Sequence, residues 1–160
     1  MQGLHLTADL SGCAPATAAM TQAEALRNLC LQAARSAGLT PVGELFHRFA
    51  PLAPGLPPGL TGVVLLAESH LAVHTWPERG AVTLDVYVCN AGADQSGRAE
   101  QTLAALITGF APGHVQRQQL QRGALPARWP QAQPLCLETA LETHTGPGSA
   151  SVHRAREQSP

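Results

Sequence analysis

A serine, a histidine and a cysteine near the middle of the chain are of the types that carry out nucleophilic and proton-transfer chemistry. Ser69 stands in the triplet "ESH", His74 follows in "HTWPE", and Cys89 ends the run "DVYVC". The chain has 160 residues and contains no lysine. The cofactor pyridoxal phosphate is bound as an internal aldimine through the amine of a lysine, so no side chain of this chain can hold it in that way.

Two familiar kinds of site that use these residue types do not fit the local sequence. His70 and His74 are four residues apart, but Val73, Thr75 and Trp76 favour a strand. Residues at that spacing on a strand lie about 13 Å apart along its axis, too far to share a metal ion. A hydrolase triad would need its serine on a sharp elbow such as GxSxG, whereas "AESHL" contains no glycine. We therefore expect neither a metal site nor a serine hydrolase.

Several apolar or alternating segments predict strands around these residues. The predicted strands are residues 3–10, 41–48, 60–69, 70–76, 81–89 and 114–122. In the segment 81–89, Cys89 shares a face with Thr83, Asp85 and Tyr87, because successive side chains on a strand alternate. The Pro/Gly-rich run "APLAPGLPPG" at 50–59 predicts a loop.

Two helices are predicted between these strands. The first covers residues 21–38, with Thr21 as the N-cap and Glu24 completing a capping box. The second runs from about Ser96 to Phe110. This order of elements predicts an α+β fold, a two-layer sandwich in which an antiparallel-type sheet carries two helices on one face. We expect one domain over residues 1–137 and a disordered polar tail over 138–160.

Composition and charge argue against several classes of protein. The net charge is −1 and the ten basic residues, all arginine, form no block, so we expect no nucleic-acid partner. The N-terminus does not resemble a signal peptide, and no run of eighteen uncharged apolar residues occurs. We therefore expect a cytoplasmic protein that does not enter the membrane. The four cysteines form no CxxC pair, which argues against a zinc ribbon or a disulfide framework.

Longer motifs resemble the prokaryotic S-adenosylmethionine decarboxylase proenzyme family. "GVVLLAESHLAVHTWPE" at 62–78 carries most of the likeness, with "HRF" at 47–49, "LDVYVCN" at 84–90 and the weaker "HLTADLSGC" at 5–13 in the expected order. The resemblance covers about residues 4–123. It implies that the chain cleaves itself and makes a covalent pyruvoyl cofactor from an internal serine.

The resemblance assigns roles to five residues near the cleavage point. The hydroxyl of Ser69 would attack the carbonyl of Glu68, cleave the chain between them and leave a pyruvoyl group that forms a Schiff base with the substrate amine. His74 would move protons during processing, which suits an imidazole. Cys89 would return a proton to the substrate α-carbon. Thr61 stands where the family usually has a serine that assists processing.

The resemblance also implies a small-molecule substrate, S-adenosylmethionine, and a homodimer of processed αβ protomers in spermidine biosynthesis. Phe49 would stack on adenine and Glu78 would accept hydrogen bonds from the ribose hydroxyls.

The chain departs from the family where aromatic residues are usual: it has Leu10 and Ser11 in the first motif, and "ERGA" at 78–81. Aromatic faces hold cations well, so their loss leaves open a pyruvoyl-dependent arginine or ornithine decarboxylase in which Asp9 faces the cationic substrate. A separate alternative is a non-catalytic regulatory relative that keeps the fold.

Overall fold

Six strands form one antiparallel sheet in the computed structural model, which describes residues 2–123. The order across the sheet is β2-β3-β4-β5-β1-β6, and every neighbouring pair is antiparallel. The strands are β1 (Gly3–Ser11), β2 (Pro41–Arg48), β3 (Leu60–Leu66), β4 (Ser69–Trp76), β5 (Ala81–Cys89) and β6 (His114–Arg122). The sequence therefore placed all six strands, with one boundary wrong: Ser69 begins β4 instead of ending the strand before it.

The helices are α1 (Ala18–Thr21), α2 (Ala23–Ser36) and α3 (Ser96–Phe110), and a 3₁₀ turn covers Pro77–Arg79. Apolar side chains from all three α-helices join those from one face of the sheet in a single core. The predicted α+β sandwich is thus confirmed, with the four-residue α1 as an addition to the two expected helices.

The predicted N-cap of the long helix was wrong. Thr21 is the last residue of α1, and α2 begins at Ala23 after Gln22, whose backbone is extended with φ −112° and ψ 112°. The side chain of Gln22 makes no capping hydrogen bond. Glu24 lies in the first turn of α2, but its carboxylate contacts Arg27 at 3.5 Å. An extended residue after one helical turn separates the two helices, which a capping-box pattern does not reveal.

The two faces of the sheet differ in what covers them. Alternate residues of the central strands, such as Leu71, Val73 and Val86, are fully buried against the helices. We use "open face" for the opposite side of the sheet, where the side chains of Thr61, His74 and their alternates lie. The open face carries leucines that remain more than half exposed: Leu45, Leu65 and Leu120.

Part of the predicted domain organisation lies beyond the described residues. These are residues 124–137 of the predicted domain and the whole of the predicted tail, 138–160. Among the helices of the described part, none is long and apolar enough to span a bilayer.

Candidate active site

The turn between β3 and β4 holds the first pair of predicted site residues. Leu66 pairs with Ser69 across the hairpin, so the turn consists of Ala67 and Glu68 alone. The Ala67 N–H donates to the Thr40 carbonyl oxygen at 3.1 Å, which ties the turn to the chain just before β2. The Glu68–Ser69 peptide bond thus lies at the tip of a tight, anchored hairpin.

The backbone of Glu68 is strained. Its φ is 61°, in the left-handed region that favours glycine. Two-residue hairpin turns usually place Gly or Asn at positions of positive φ. Another residue there costs on the order of 1–3 kcal/mol. The strain falls on the residue whose carbonyl the neighbouring serine would attack.

Ser69 and Cys89 come together at this end of the sheet. The backbone N–H of Cys89 donates to Oγ of Ser69 at 3.2 Å. Cys89 is the last residue of β5, and its exposed fraction is 8%. The fold therefore brings Ser69 and Cys89 into direct contact, and Cys89 is more enclosed than Asp85 and Tyr87 on the same strand.

A cavity of about 320 Å³ opens beside these residues. The hairpin turn, the chain before β2 and the segment leading into α3 form its walls. Its lining includes Glu68, Ser69, Cys89, Thr40, Gln95 and Arg98. A small molecule in this cavity could contact the serine and the cysteine together.

The other described cysteines are buried in the core. Burial raises the pKa of the Cys30 thiol to about 12, and burial also raises the pKa of the Cys13 thiol. Both stay protonated and enclosed at neutral pH, whereas Cys89 lines the cavity beside Ser69. Among residues 2–123, Cys89 is thus the cysteine placed for chemistry.

Thr61 and His74 form a second pair, on the open face. They are register partners on β3 and β4, and Thr61 Oγ1 lies 2.8 Å from His74 Nδ1. This hydrogen bond fixes the imidazole ring and leaves Nε2 free to exchange a proton. The Thr75 hydroxyl next to His74 donates to the Met20 carbonyl oxygen at 2.8 Å and anchors β4 to α1. Thr61, predicted to assist processing, is thus in direct contact with His74, the other residue predicted to act in processing.

Phe49, Trp76 and Glu78 lie around a second cavity of about 290 Å³ near His74. The ring of Phe49 is 50% exposed, so it is not part of the core. Trp76 lies with its ring centroid 6.0 Å from that of His74. Two aromatic faces and one carboxylate therefore border the same space, and the loop 50–59 forms part of its wall.

The 3₁₀ turn that presents Glu78 depends on a glycine. Gly80 follows the turn with a φ of 57°, and its carbonyl oxygen accepts a hydrogen bond from the Cys13 N–H at 2.9 Å. A Cβ at position 80 would come within 2.8 Å of the Cys13 carbonyl oxygen. A larger residue at this position would therefore displace the turn and the carboxylate it carries.

Ser69 and His74 are not brought together within one chain. They lie at opposite ends of β4, which is extended over its whole length. Five steps along a strand cover about 16 Å, and an odd number of steps places two side chains on opposite faces. The strand therefore keeps the two side chains apart within a single copy of this fold.

Asp9 lies apart from both cavities. It pairs with Thr83 on β5, and Thr83 pairs in turn with His74, so all three share one row across the open face. One strand separates Asp9 from His74, and its side chain is exposed. Its predicted role toward a cationic substrate has no direct support from a cavity.

Several residues near the two cavities were not singled out from the sequence. Trp76 stands inside the recognised "HTWPE" stretch, so its motif was a usable signal. Gln95 and Arg98 line the Ser69 cavity, yet nothing in the local sequence distinguishes them from ordinary polar residues at the start of a helix. His70 was considered only as a metal ligand. Among the described residues, no group of three His, Cys, Asp or Glu side chains is placed to hold a metal ion.

Comparisons with known proteins place this geometry in a family. The family described as S-adenosylmethionine decarboxylase matches residues 4–123. A curated relative, the S-adenosylmethionine decarboxylase proenzyme of Hydrogenobaculum sp., is 34% identical over 123 residues, which cover 77% of this chain and 83% of the relative. The protein of the same name from Pyrococcus abyssi is 32% identical over 121 residues, covering 76% of this chain and 78% of the relative.

A solved structure agrees with these sequence matches. The crystal structure of the adenosylmethionine decarboxylase from Aquifex aeolicus superposes with a TM-score of 0.67 at 35% identity, over 81% of this chain and 97% of that chain. Family, relatives and fold therefore coincide over the part of the chain that carries the two cavities. The chain belongs to the S-adenosylmethionine decarboxylase family.

Proposed function

We propose that this chain is a proenzyme that cleaves itself between Glu68 and Ser69 and then decarboxylates S-adenosylmethionine. The observation that carries the proposal is the arrangement at the hairpin tip. There a strained Glu68, Ser69 and Cys89 border one cavity, and the Cys89 backbone N–H contacts the Ser69 hydroxyl. The family match and the word "proenzyme" in the names of curated relatives support it.

The first step is an attack by Ser69 Oγ on the carbonyl carbon of Glu68. A C–O bond forms, the peptide C–N bond breaks, and the chain becomes an ester with a free amine on Ser69. The Cys89 N–H holds the attacking oxygen in place. The left-handed turn at Glu68 raises the energy of the peptide that is consumed, and an ester with freer rotation releases that strain.

The ester then eliminates. The Ser69 Cα loses a proton, and Glu68 leaves as a carboxylate that keeps the former hydroxyl oxygen. The unsaturated residue left behind tautomerises to an imine, and water hydrolyses it to a ketone while ammonia departs. The products are residues 1–68 and residues 69–160, the second beginning with a pyruvoyl group.

The proton transfers need a base, and His74 reaches Ser69 only from a second copy. The open face, which carries exposed leucines and no helix among residues 2–123, is where we place that copy. An antiparallel arrangement of two sheets would place the His74 end of one chain beside the hairpin tip of the other, so that His74 approaches Ser69 around the end of the sheet. We therefore propose a homodimer of processed αβ protomers with two shared sites.

The site fits a pyruvoyl group better than pyridoxal phosphate. Ser69 is half-buried at a strand end and borders a cavity large enough for the amino acid part of a substrate, while the chain has no lysine. When present, the pyruvoyl group supplies an electron sink for the pair released as carbon dioxide leaves. Cys89 Sγ, on the wall of the same cavity, donates the proton that replaces the carboxylate on the α-carbon.

Residues of the His74 cavity recognise the remainder of the substrate. Phe49 and Trp76 offer aromatic faces to a flat base and to a sulfonium cation. The exposed carboxylate of Glu78 accepts hydrogen bonds from the ribose hydroxyls. In the dimer this cavity of one protomer lies beside the Ser69 cavity of its partner, which suits a substrate with a nucleoside at one end and an amino acid at the other.

The test combines mass analysis with trapping of carbon dioxide. The purified protein should yield two fragments that meet at 68/69 and release labelled carbon dioxide from carboxyl-labelled S-adenosylmethionine. Ser69→Ala should remain a single chain and release none. Release of carbon dioxide from arginine or ornithine alone would contradict S-adenosylmethionine as the substrate. An uncut chain without activity would contradict the whole proposal.

A further inference from the structure

His70, the third residue of the "ESH" triplet, belongs to a cluster on the open face that the proposed chemistry does not use. It pairs in register with Tyr87 on β5, and Tyr87 pairs with His5 on β1. Because partners in a row lie on the same face, three rings from three adjacent strands meet beside the hairpin tip.

The three rings are in mutual contact. The His70 and Tyr87 centroids are 5.3 Å apart with their planes tilted by 32°. His5 meets Tyr87 edge-on at 6.1 Å and His70 at 6.3 Å. Gly3 makes room for this arrangement, since a Cβ there would come within 2.6 Å of the Tyr87 hydroxyl oxygen. Tyr87 therefore lies over β1 as the centre of the cluster.

Charged groups surround His70 on one side. Asp85 Oδ1 lies 3.2 Å from His5 Nε2, and the Arg122 guanidinium lies 5.2 Å from the centre of the Tyr87 ring. On its other side, His70 pairs with the apolar Leu65 of β3. Within one protomer, the titratable or charged groups facing His70 are His5 from β1, Asp85 and Tyr87 from β5, and Arg122 from β6.

These surroundings favour the neutral form of His70. Burial lowers the pKa of its imidazole, and His5 and Arg122 lower it further, while Asp85 opposes them. The folded chain therefore holds this proton more weakly than the unfolded chain does. As the pH falls below the ordinary pKa of 6.5, the folded state loses stability relative to the unfolded state. The loss is complete once the pH has fallen through the lowered pKa of His70 in the folded chain.

The cluster is joined to the cleavage site by two short connections. His70 directly follows Ser69 on β4, and Tyr87 stands two residues before Cys89 on β5. The His70–Tyr87 pair is the last register pair of the two strands before the Cys89 N–H to Ser69 Oγ contact. A change in the distance between the two rings would therefore move the serine relative to the cysteine.

We propose that His70 is a pH-sensitive positioning residue, whose neutral ring stacks on Tyr87 and holds Ser69 against Cys89 for self-cleavage. A proton on His70 adds a cation close to Arg122 and loosens the strand ends. This inference rests on the proposed function, because it concerns the same cleavage.

The experiment compares the rate of self-cleavage near pH 7.5 and near pH 5.5, on denatured full-length chain refolded by dilution and followed on denaturing gels. We expect the wild type to slow in acid as His70 takes up a proton. His70→Phe keeps a ring against Tyr87 but takes up no proton. Its slowing should be smaller than that of the wild type, by up to about tenfold, because pH 5.5 lies one unit below the ordinary pKa of 6.5. Asp85→Asn removes the carboxylate that offsets the effects of His5 and Arg122 on the pKa of His70. This variant should therefore show a larger decrease in the rate of self-cleavage at pH 5.5 than the wild type.

Opposite shifts by the two variants separate this role from a purely structural one, which would lower the rate equally at both pH values. The same acid-to-neutral ratio in wild type, His70→Phe and Asp85→Asn would overturn the inference. Should His70→Phe fail to give a cooperative thermal transition, His70→Gln measured in the same way decides. A wild-type chain that is not cut at either pH would instead refute the proposed function.

Discussion

The two ends of β4 carry different halves of one chemical apparatus. The Ser69 end has the strained turn, the nucleophile and the thiol, in a cavity walled by polar groups such as Gln95 and Arg98. The His74 end has the imidazole with its threonine partner, in a cavity walled by aromatic and aliphatic residues. Neither end contains every group that the proposed self-cleavage needs, although both belong to one eight-residue strand.

This difference shows how a set of residues that is complete in sequence can be divided in space. An extended strand separates Ser69 from His74 by about 16 Å and places their side chains on opposite faces of the sheet. In the proposed homodimer, a second copy in the opposite orientation would supply the missing contact at both sites. Substitutions at the two ends should therefore have separable effects on cleavage and on turnover.

The largest separable effect is expected at the Ser69 end, from Cys89→Ala. Its backbone N–H remains available to Ser69 Oγ, so self-cleavage should persist, whereas the proton donor for the α-carbon is lost. Removal of a general acid typically costs about 10²–10⁴ in rate. Release of carbon dioxide by the fully cleaved variant measures this loss. Undiminished release would remove Cys89 from its assigned role, and Cys89→Ser tests whether a hydroxyl substitutes.

A smaller effect is expected at the same end from Glu68→Gly. Glycine adopts a positive φ without penalty, so the uncut peptide loses its strain and self-cleavage should slow by about tenfold. Glu68→Gln is the matched control, because it removes the charge and keeps the strained backbone. The time course of fragment formation compares the three chains. A glycine variant that cleaves as fast as the glutamine variant would show that strain does not contribute.

The smallest effect is expected at the His74 end from Thr61→Val, which keeps the shape of the side chain and removes the hydroxyl bonded to His74. Loss of one such hydrogen bond should slow cleavage by about three- to tenfold. Thr61→Ser retains the hydroxyl and should cleave at nearly the wild-type rate. Equal rates for the valine and serine variants would mean that the contact does not orient His74.

The sequence predicted those elements in which apolar residues recur with a regular period. Alternating apolar residues located β1 and β5, and periodic ones located α3, because burial on one face forces these periods. Ser69 and Cys89 were singled out through two separate motifs of the family resemblance. The N-cap assignment at Thr21 was wrong, since the extended Gln22 that separates α1 from α2 carries no signal in its side chain.

Other features depend on register and could not be read from the chain. The left-handed backbone of Glu68 results from a two-residue turn fixed by the pairing of Leu66 with Ser69. The contacts of His70 with Tyr87 and His5 require three strands that are distant in sequence to align. The division of the site, by contrast, follows from the five-residue spacing of Ser69 and His74 once the segment is known to be a strand.

Co-production of two inactive chains tests the shared site most directly. Ser69→Ala retains His74 and lacks the nucleophile, while a size-tagged His74→Ala chain retains Ser69 and lacks the base. Each alone should remain uncut. Produced together, they should form mixed dimers in which the tagged His74→Ala chain is cut between 68 and 69 and the Ser69→Ala chain stays whole. Cleavage of His74→Ala on its own, or no cleavage in mixed dimers isolated through both chains, would contradict the account.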